Sequence, residues 1–264
     1  MTTSGLAVPG WGGVAASLLL VAVAAAMAYR ERLRLTGDIV IAAARAGLQL
    51  IAAAAILLVV FRWAGLPGAA GWVIVMVLIA GQVAGRRGAG VPRARIAATA
   101  GVAAGTAVTL VALLAGRVIA TQPRVIVAVG GMIVSAAMLA AGIALRRLHE
   151  EAHAARPAID ARLCLGQSAR EAFLPHQRSA LRTALIPAID STKVVGLISL
   201  PGAMSGLILA GVDPLTAIRY QIVVMYMLLA ATAVAALTCA RLAERALFDR
   251  AHRLVSLPAA TRRA

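Results

Sequence analysis

Seven stretches of the chain run almost free of charge, separated by shorter polar breaks rich in Arg. They cover residues 11–29, 39–61, 69–84, 96–116, 125–145, 194–210 and 218–240. Most approach the ~20 residues that a helix needs to cross the hydrocarbon core of a bilayer. The third and sixth are shorter. The pattern predicts an all-α, polytopic integral membrane protein of about seven transmembrane helices, built as a single transmembrane domain over residues 1–264. The longest polar piece follows the fifth stretch. Its start, LRRLHEEAHAARPAIDARL, should carry the helix out into water as far as Pro157, and residues 146–193 read as one surface connection.

Composition agrees with a bilayer as the solvent. The chain is 61% hydrophobic and only 14% charged, more apolar surface than a soluble domain of this size can hide. The net charge of +16 comes from 25 Arg and one Lys. Aromatic residues make up 3%, too few for a base-stacking surface, so anionic lipid headgroups and an acidic partner, rather than nucleic acid, explain the charge. Twenty-one of the basic residues fall on one side of the seven-span pattern and only Arg62, Arg117 and Arg124 on the other. This imbalance predicts an N-terminus outside and a C-terminus in the cytoplasm of an inner membrane, with Trp11, Trp63 and Trp72 at the outer interface. No basic residue precedes Arg30, so the first stretch reads as a retained span rather than a signal peptide. Cys164 and Cys239 have no metal-ligand spacing.

The densest stretch is 185–230, LIPAIDSTKVVGLISLPGAMSGLILAGVDPLTAIRYQIVVMYMLLA. A polar knot of Pro187, Asp190, Ser191, Thr192 and Lys193 opens it. Pro201 and Gly202 break the span that follows, because Pro lacks an N–H and frees a carbonyl one turn earlier. Gly202 and Gly206 form a small-xxx-small pair that would admit a neighbouring backbone. The turn Gly211, Val212, Asp213, Pro214 leads into the last span.

Candidate chemistry is sparse. No GxxxxGK[ST], HExxH or paired Cys/His set occurs, so no catalytic residue and no metal site is expected, and the chain itself cradles no ATP. His149 and His153, four apart beside Glu150, fit a metal less well than a solvated helix face. None of the ten acidic residues lies well inside a predicted span, which argues against a proton- or sodium-driven carrier and for energy from a separate ATPase. Arg45 and Gln49 share one face of the second span. Either they line a pathway, or Arg45 snorkels or pairs with Asp190. Asp190 and Lys193 read as a helix-end pair or a cytoplasmic gate. Gln221, beside Tyr220, reads as an interhelical hydrogen-bonding group or an outer gate. In LCLGQSAREAFLP, Gly166 supplies a turn, and Ser168 with Glu171 has capping-box spacing for a helix.

These residues also carry a resemblance. ALIPAIDSTKVVGLISLPGAMSGLILAG followed by AIRYQIVVMYMLLAAT is similar to the signature of the FetB/YbbM family, permease subunits of ABC transporters related to plant aluminium-tolerance permeases. The pattern AARAGLQLI resembles the family's RxxxQL, and GGMIVSAAMLAAGIALRRL its GMxxGNxMNxxxLxxNRL. In the second, Met138 and Arg147 match. Ser135 stands where the family has Gly, and Ala136 and Leu139 where it has Asn. The resemblance implies a non-enzymatic permease that moves a small solute or metal ion. It also implies two permease copies, and an ABC ATPase subunit that holds ATP and Mg²⁺. It implies a pathway drawn from Arg45, Gln49, Ser135, Met138, Asp190, Lys193, Pro201 and Gln221. LCLGQSAREAFLP resembles the family's LGATxxEA segment, which implies a coupling helix at Gly166, Ser168, Arg170, Glu171, Ala172 and Phe173. A stand-alone secondary carrier or channel is the alternative.

Overall fold

The computed structural model describes residues 10–33, 35–59, 65–196, 198, 200–249, 251 and 253–255. Among them the backbone is mostly helical, with an isolated bridge between Phe248 and Leu254. The helices are α1 Trp11–Arg30, α2 Thr36–Val59, α3 Gly65–Arg87, α4 Ala94–Ala115, α5 Pro123–Ala154, α6 Arg156–Cys164, α7 Ala169–Val194, α8 Gly202–Leu209 and α9 Pro214–Leu247. Six of them, α1 to α5 and α9, are long and apolar enough to cross a membrane. They correspond to six of the seven apolar stretches, and α3 is longer than its stretch because Gly65–Ala69 and the Arg86–Arg87 end are also helical. Arg62 and Trp63 lie outside the described residues.

The sixth stretch is the exception. It is not one helix. α7 ends at Val194, Gly196 adopts φ +81°, and helix resumes only at Gly202, with Pro201 as the extended N-cap residue of α8. A helix of eight residues is about 12 Å long and cannot cross alone. α8 closes with bonds from the Gly211 and Val212 N–H groups to Ile208 and Leu207, a pairing that Gly211 permits by its φ of +84°. Asp213 then caps α9 at the Thr216 N–H, 3.2 Å away, with Pro214 in the first turn.

α3, α4, α5, α7 and α9 form the packed core, and its buried faces are mostly Ala and Gly. In lipid, helix association rests on close contact rather than on expulsion of water, so small residues decide where backbones meet. On α4, a Cβ built at Gly101 would lie 2.7 Å from the Ala235 carbonyl oxygen and 2.8 Å from Cys239 Cβ. At Gly105 it would lie 2.7 Å from the Ala231 carbonyl oxygen. Gly81 and Gly85 of α3 press equally closely on Thr99 and Arg95 of α4. By contrast, nothing lies within 4 Å of a Cβ at Gly202 or Gly206. Among the described residues the close packing expected at that pair is not made, because α8 packs on α9 and turns its glycines away from it.

The end of the bundle where α5 carries Arg146 and Arg147 is its basic end. Polar contacts stitch α7 to its neighbours there. The Ser179 hydroxyl donates to Glu151 at 2.7 Å, His176 Nδ1 lies 3.2 Å from the same carboxylate, and Gln177 donates to Glu244 at 2.7 Å. His149, expected on a solvated face, is buried with its ring against Gly90, because the turn between α3 and α4 wraps this part of α5. From the basic end α7 climbs antiparallel to α5 and α9, and Ala184 packs with Ala140, Ala144 and Ala236. The last third of the expected surface connection therefore runs beside the apolar part of the bundle. Beyond Ala184, no described residue of α7 is buried.

The α1–α2 hairpin is held mainly by itself. Among the described residues of α2 none is buried, and Leu57 is its described contact with the core.

The close α4–α9 contact gives a test of this packing. Gly101→Leu should destabilise the folded protein by about 1–3 kcal/mol or more, because the backbone of α9 leaves no room for a side chain. Gly206→Leu should leave the thermal midpoint of the single chain in detergent nearly unchanged. Equal losses for both variants would contradict the packing described.

Candidate functional site: a groove, an ion pair and a capped helix end

One face of α5 forms the wall of an apolar groove of about 630 Å³. Ala128, Gly131, Met132, Ser135, Ala136 and Leu139 recur at intervals of three and four and so share that face. Met76 of α3, Leu228 of α9 and Leu57 of α2 complete it. Ser135 is exposed and contributes a hydroxyl. The two positions that carry Ala136 and Leu139 instead of amides both face this space. Met138 does not: it is partly buried against the core.

The other expected pathway residues are dispersed. Arg45 and Gln49 are exposed on α2, below its Leu57 contact. Asp190 and Lys193 lie on α7, six and nine residues past Ala184, so about 9 and 14 Å farther from the basic end. The sequence suggested a helix mouth at the surface; the packing of Ala184 instead sets this pair beside the apolar layer. Their charges meet at 3.4 Å, and both side chains are exposed. Pro201 interrupts the helix as expected, with the Ser205 hydroxyl donating to its carbonyl at 3.2 Å. Gln221 is buried in α9, away from both the groove and the ion pair, and its Oε1 has no partner among the described residues. Sequence reasoning missed two similar groups, the buried Thr106 and Thr109 hydroxyls of α4. Thr residues in an apolar run give no outward signal of which face they occupy.

At the basic end, two helix caps stand back to back. α6 ends with the Gly166 N–H bonded to Leu163 and the Gln167 N–H to Arg162, the Schellman pairing, with Gly166 at φ +83°. Ser168 then caps α7. Its hydroxyl accepts from the Glu171 N–H at 3.3 Å, while its own N–H donates to Glu171 Oε2 at 3.0 Å. The Ser168 hydroxyl, and after it the Ser168 N–H, hold the Glu171 carboxyl below the usual carboxylate range. The resulting turn fixes Leu165 outward, 83% exposed, beside Gln167 and Glu171. Leu165 was not singled out from the sequence, since an apolar residue before a Gly turn looks the same whether it points in or out.

Two residues of the expected coupling helix are placed otherwise. Ala172 and Phe173 are fully buried. Phe173 packs edge-on against Phe248 at 5.9 Å between ring centres and belongs to the core. The helix that Ser168 starts is also no short surface segment. It is α7 itself, 26 residues long, and it ends just past Asp190 and Lys193. Among the described residues no group of three His, Cys, Asp or Glu side chains forms a metal site.

Phe173→Ala should cost about 3–5 kcal/mol of stability, as large core truncations do. The measurement is thermal unfolding in detergent; an unchanged midpoint would place Phe173 outside the core.

The chain has relatives along most of its length. It is 40% identical over 243 residues to the UPF0014 membrane protein STAR2 of Oryza sativa subsp. japonica, covering 90% of this chain and 84% of that one. It is 36% identical to the protein ALUMINUM SENSITIVE 3 of Arabidopsis thaliana, over 91% and 88% of the two chains. It is 35% identical to the probable iron export permease protein FetB of Escherichia coli (strain K12), over 92% and 93%. No solved structure matches. Residues 11–248 match the family described as "Uncharacterised protein family (UPF0014)", and with these relatives the chain belongs to that family of multi-pass membrane proteins.

Proposed function

We propose that this protein is the permease subunit of an ABC transporter. Two copies enclose a pathway for a small solute or metal ion, and a separate ATPase subunit holds ATP and Mg²⁺ against the basic end. The observation that carries this reading is the continuity of α7. One helix joins the exposed, doubly capped turn at Leu165–Glu171 to the Asp190–Lys193 pair beside the apolar layer. A displacement of the turn is thereby delivered to the open side of the bundle. The relative named as an iron export permease supports transport of a metal outward.

The basic end faces the cytoplasm in this reading, where its Arg residues meet anionic headgroups and the partner. The six continuous spans are joined by a seventh crossing, made by the upper half of α7, the break at Pro201 and α8. The N-terminus is then outside. A reporter fused after Ala264 should read cytoplasmic, and one inserted at Val212 external; the reverse pattern would overturn the orientation.

Asp190 beside the apolar layer revives the alternative of a carrier acting alone, which would cycle a carboxylate through protonation. Lys193, however, supplies a standing counter-charge at 3.4 Å.

The decisive measurement is energy coupling. Purified alone, the protein should hydrolyse no ATP; with its ATPase it should form a complex that does. Leu165→Asp or Glu171→Arg should reduce capture of the ATPase at least tenfold while leaving membrane insertion unchanged, because neither side chain is in a span. Transport by the chain alone in ATP-free liposomes under a proton or sodium gradient would sink the proposal.

A further inference from the structure

Arg45 is an exposed cation on a helix that crosses the bilayer. An Arg facing hydrocarbon there is costly. Among its described residues α2 has none buried that would turn it inward. Its charge therefore calls for protein on the open face of the helix.

Few acids qualify. Of the ten, Glu31, Asp38, Glu150, Glu151, Asp160, Glu171, Glu244 and Asp249 sit at or beyond the basic end, and Asp213 caps α9 at the opposite end. Asp190 alone remains beside the apolar layer; it is exposed, with Lys193 at 3.4 Å as its partner within the chain.

The heights agree. Arg45 lies nine residues past Thr36, where α2 starts on the Arg-rich side, so about 14 Å above the basic end. Ala184 of α7 packs beside Ala140 and Ala144, which lie about 7 Å above Arg146 and Arg147 on α5, and Asp190 lies six residues farther up, about 9 Å. Arg45 and Asp190 are thus both about 15 Å above the basic end, a match that two extended side chains can use. Both helices rise away from the basic end. The Arg45, Gln49 face and the Asp190, Lys193 face therefore run parallel, and parallel helices from two copies related by an axis along the membrane normal keep that sense.

We propose that Arg45 of one copy forms an ion pair with Asp190 of a second copy, seating α2 of each protomer on the upper half of α7 of the other. The two-fold axis makes the contact twice. This inference rests on the two-copy permease proposed above and names its interface. Within one chain, α2 and α7 do not pack together.

Charge reversal in separate copies tests it. Arg45→Asp and Asp190→Arg, carrying different tags, are expressed singly and together. In same-variant pairs every contact opposes like charges, and one tagged copy should capture the other at least tenfold less than wild type. In the mixed pair both contacts join opposite charges, one with reversed sign and one in the wild-type sense, and capture should return to within twofold of wild type. Failure of the mixed pair while the doubly reversed single chain recovers would mean that the pair closes within one chain, and would overturn the proposal. Full self-capture by either single variant would overturn it too. A second measurement does not depend on the folding of charge-reversed chains. Arg45→Cys and Asp190→Cys, in separate copies that also carry Cys164→Ser, should cross-link in membranes to twice the chain mass, and absence of that product counts against the interface. Capture of the ATPase by the same variants reads the permease assignment independently, since the Leu165–Glu171 turn is unaltered.

Discussion

The structure depends on backbone contact between α9 and its neighbours. Water drives no burial between helices inside a bilayer, so the frame holds only where side chains are small enough for the attractive contacts to be numerous. Gly101 and Gly105 place α4 directly on the carbonyls of Ala231 and Ala235, and the Ala residues of α5 and α7 close the other sides. Helices fixed in this way cannot slide without losing contact along their whole length. Two parts of the chain are held less closely: the α1–α2 hairpin, and the segment from Ile186 to the start of α9. The parts that carry exposed charge in the apolar layer are the same two parts.

The legible features of the sequence were those with a local cause. Runs of apolar residues marked six spans, although α5 and α9 continue as helix nine and seven residues past their stretches. The Ser168 and Glu171 spacing gave a capping box, and Gly211 to Pro214 gave a stop and a start. The course of α7 was not legible, and the reason is physical. It carries three Arg, Lys193, Asp190 and two prolines, so any average over the segment reads as a surface connection. Its buried residues Ala169, Ala172, Phe173, Gln177, Ala180 and Ala184 nonetheless fall at helical spacing. Period, rather than mean polarity, held the signal. Pro175 and Pro187 obscured it, although both are exposed in the structure.

Gly202 and Gly206 show the opposite failure. A small-xxx-small pair states that a backbone could approach, not that one does; the partner surface must be supplied by something else. Gly101 and Gly105 have the same spacing and do receive one. The two pairs cannot be told apart from their own residues. Phe173 misled for a related reason: a motif resemblance carries a segment as a unit, while a helix divides that segment between a face turned to the core and a face turned to solvent.

The groove on α5 limits what recognition can rest on. Its lining is thioether, aliphatic carbon and the Ser135 hydroxyl, and the two positions where the resembling family has amides hold Ala136 and Leu139. Such a wall replaces few of the oxygen ligands around a hydrated cation, and stripping them without replacement is costly. For a charged cargo, the compensating groups would have to be Arg45, Gln49, Asp190 and Lys193. They stand on α2 and on the end of α7 beyond Ala184, the parts least bound to the frame, whereas Ala169 to Ala184 of α7 belong to the packed core together with the groove wall. The rigid part of the bundle would then supply shape, and the loosely held parts charge.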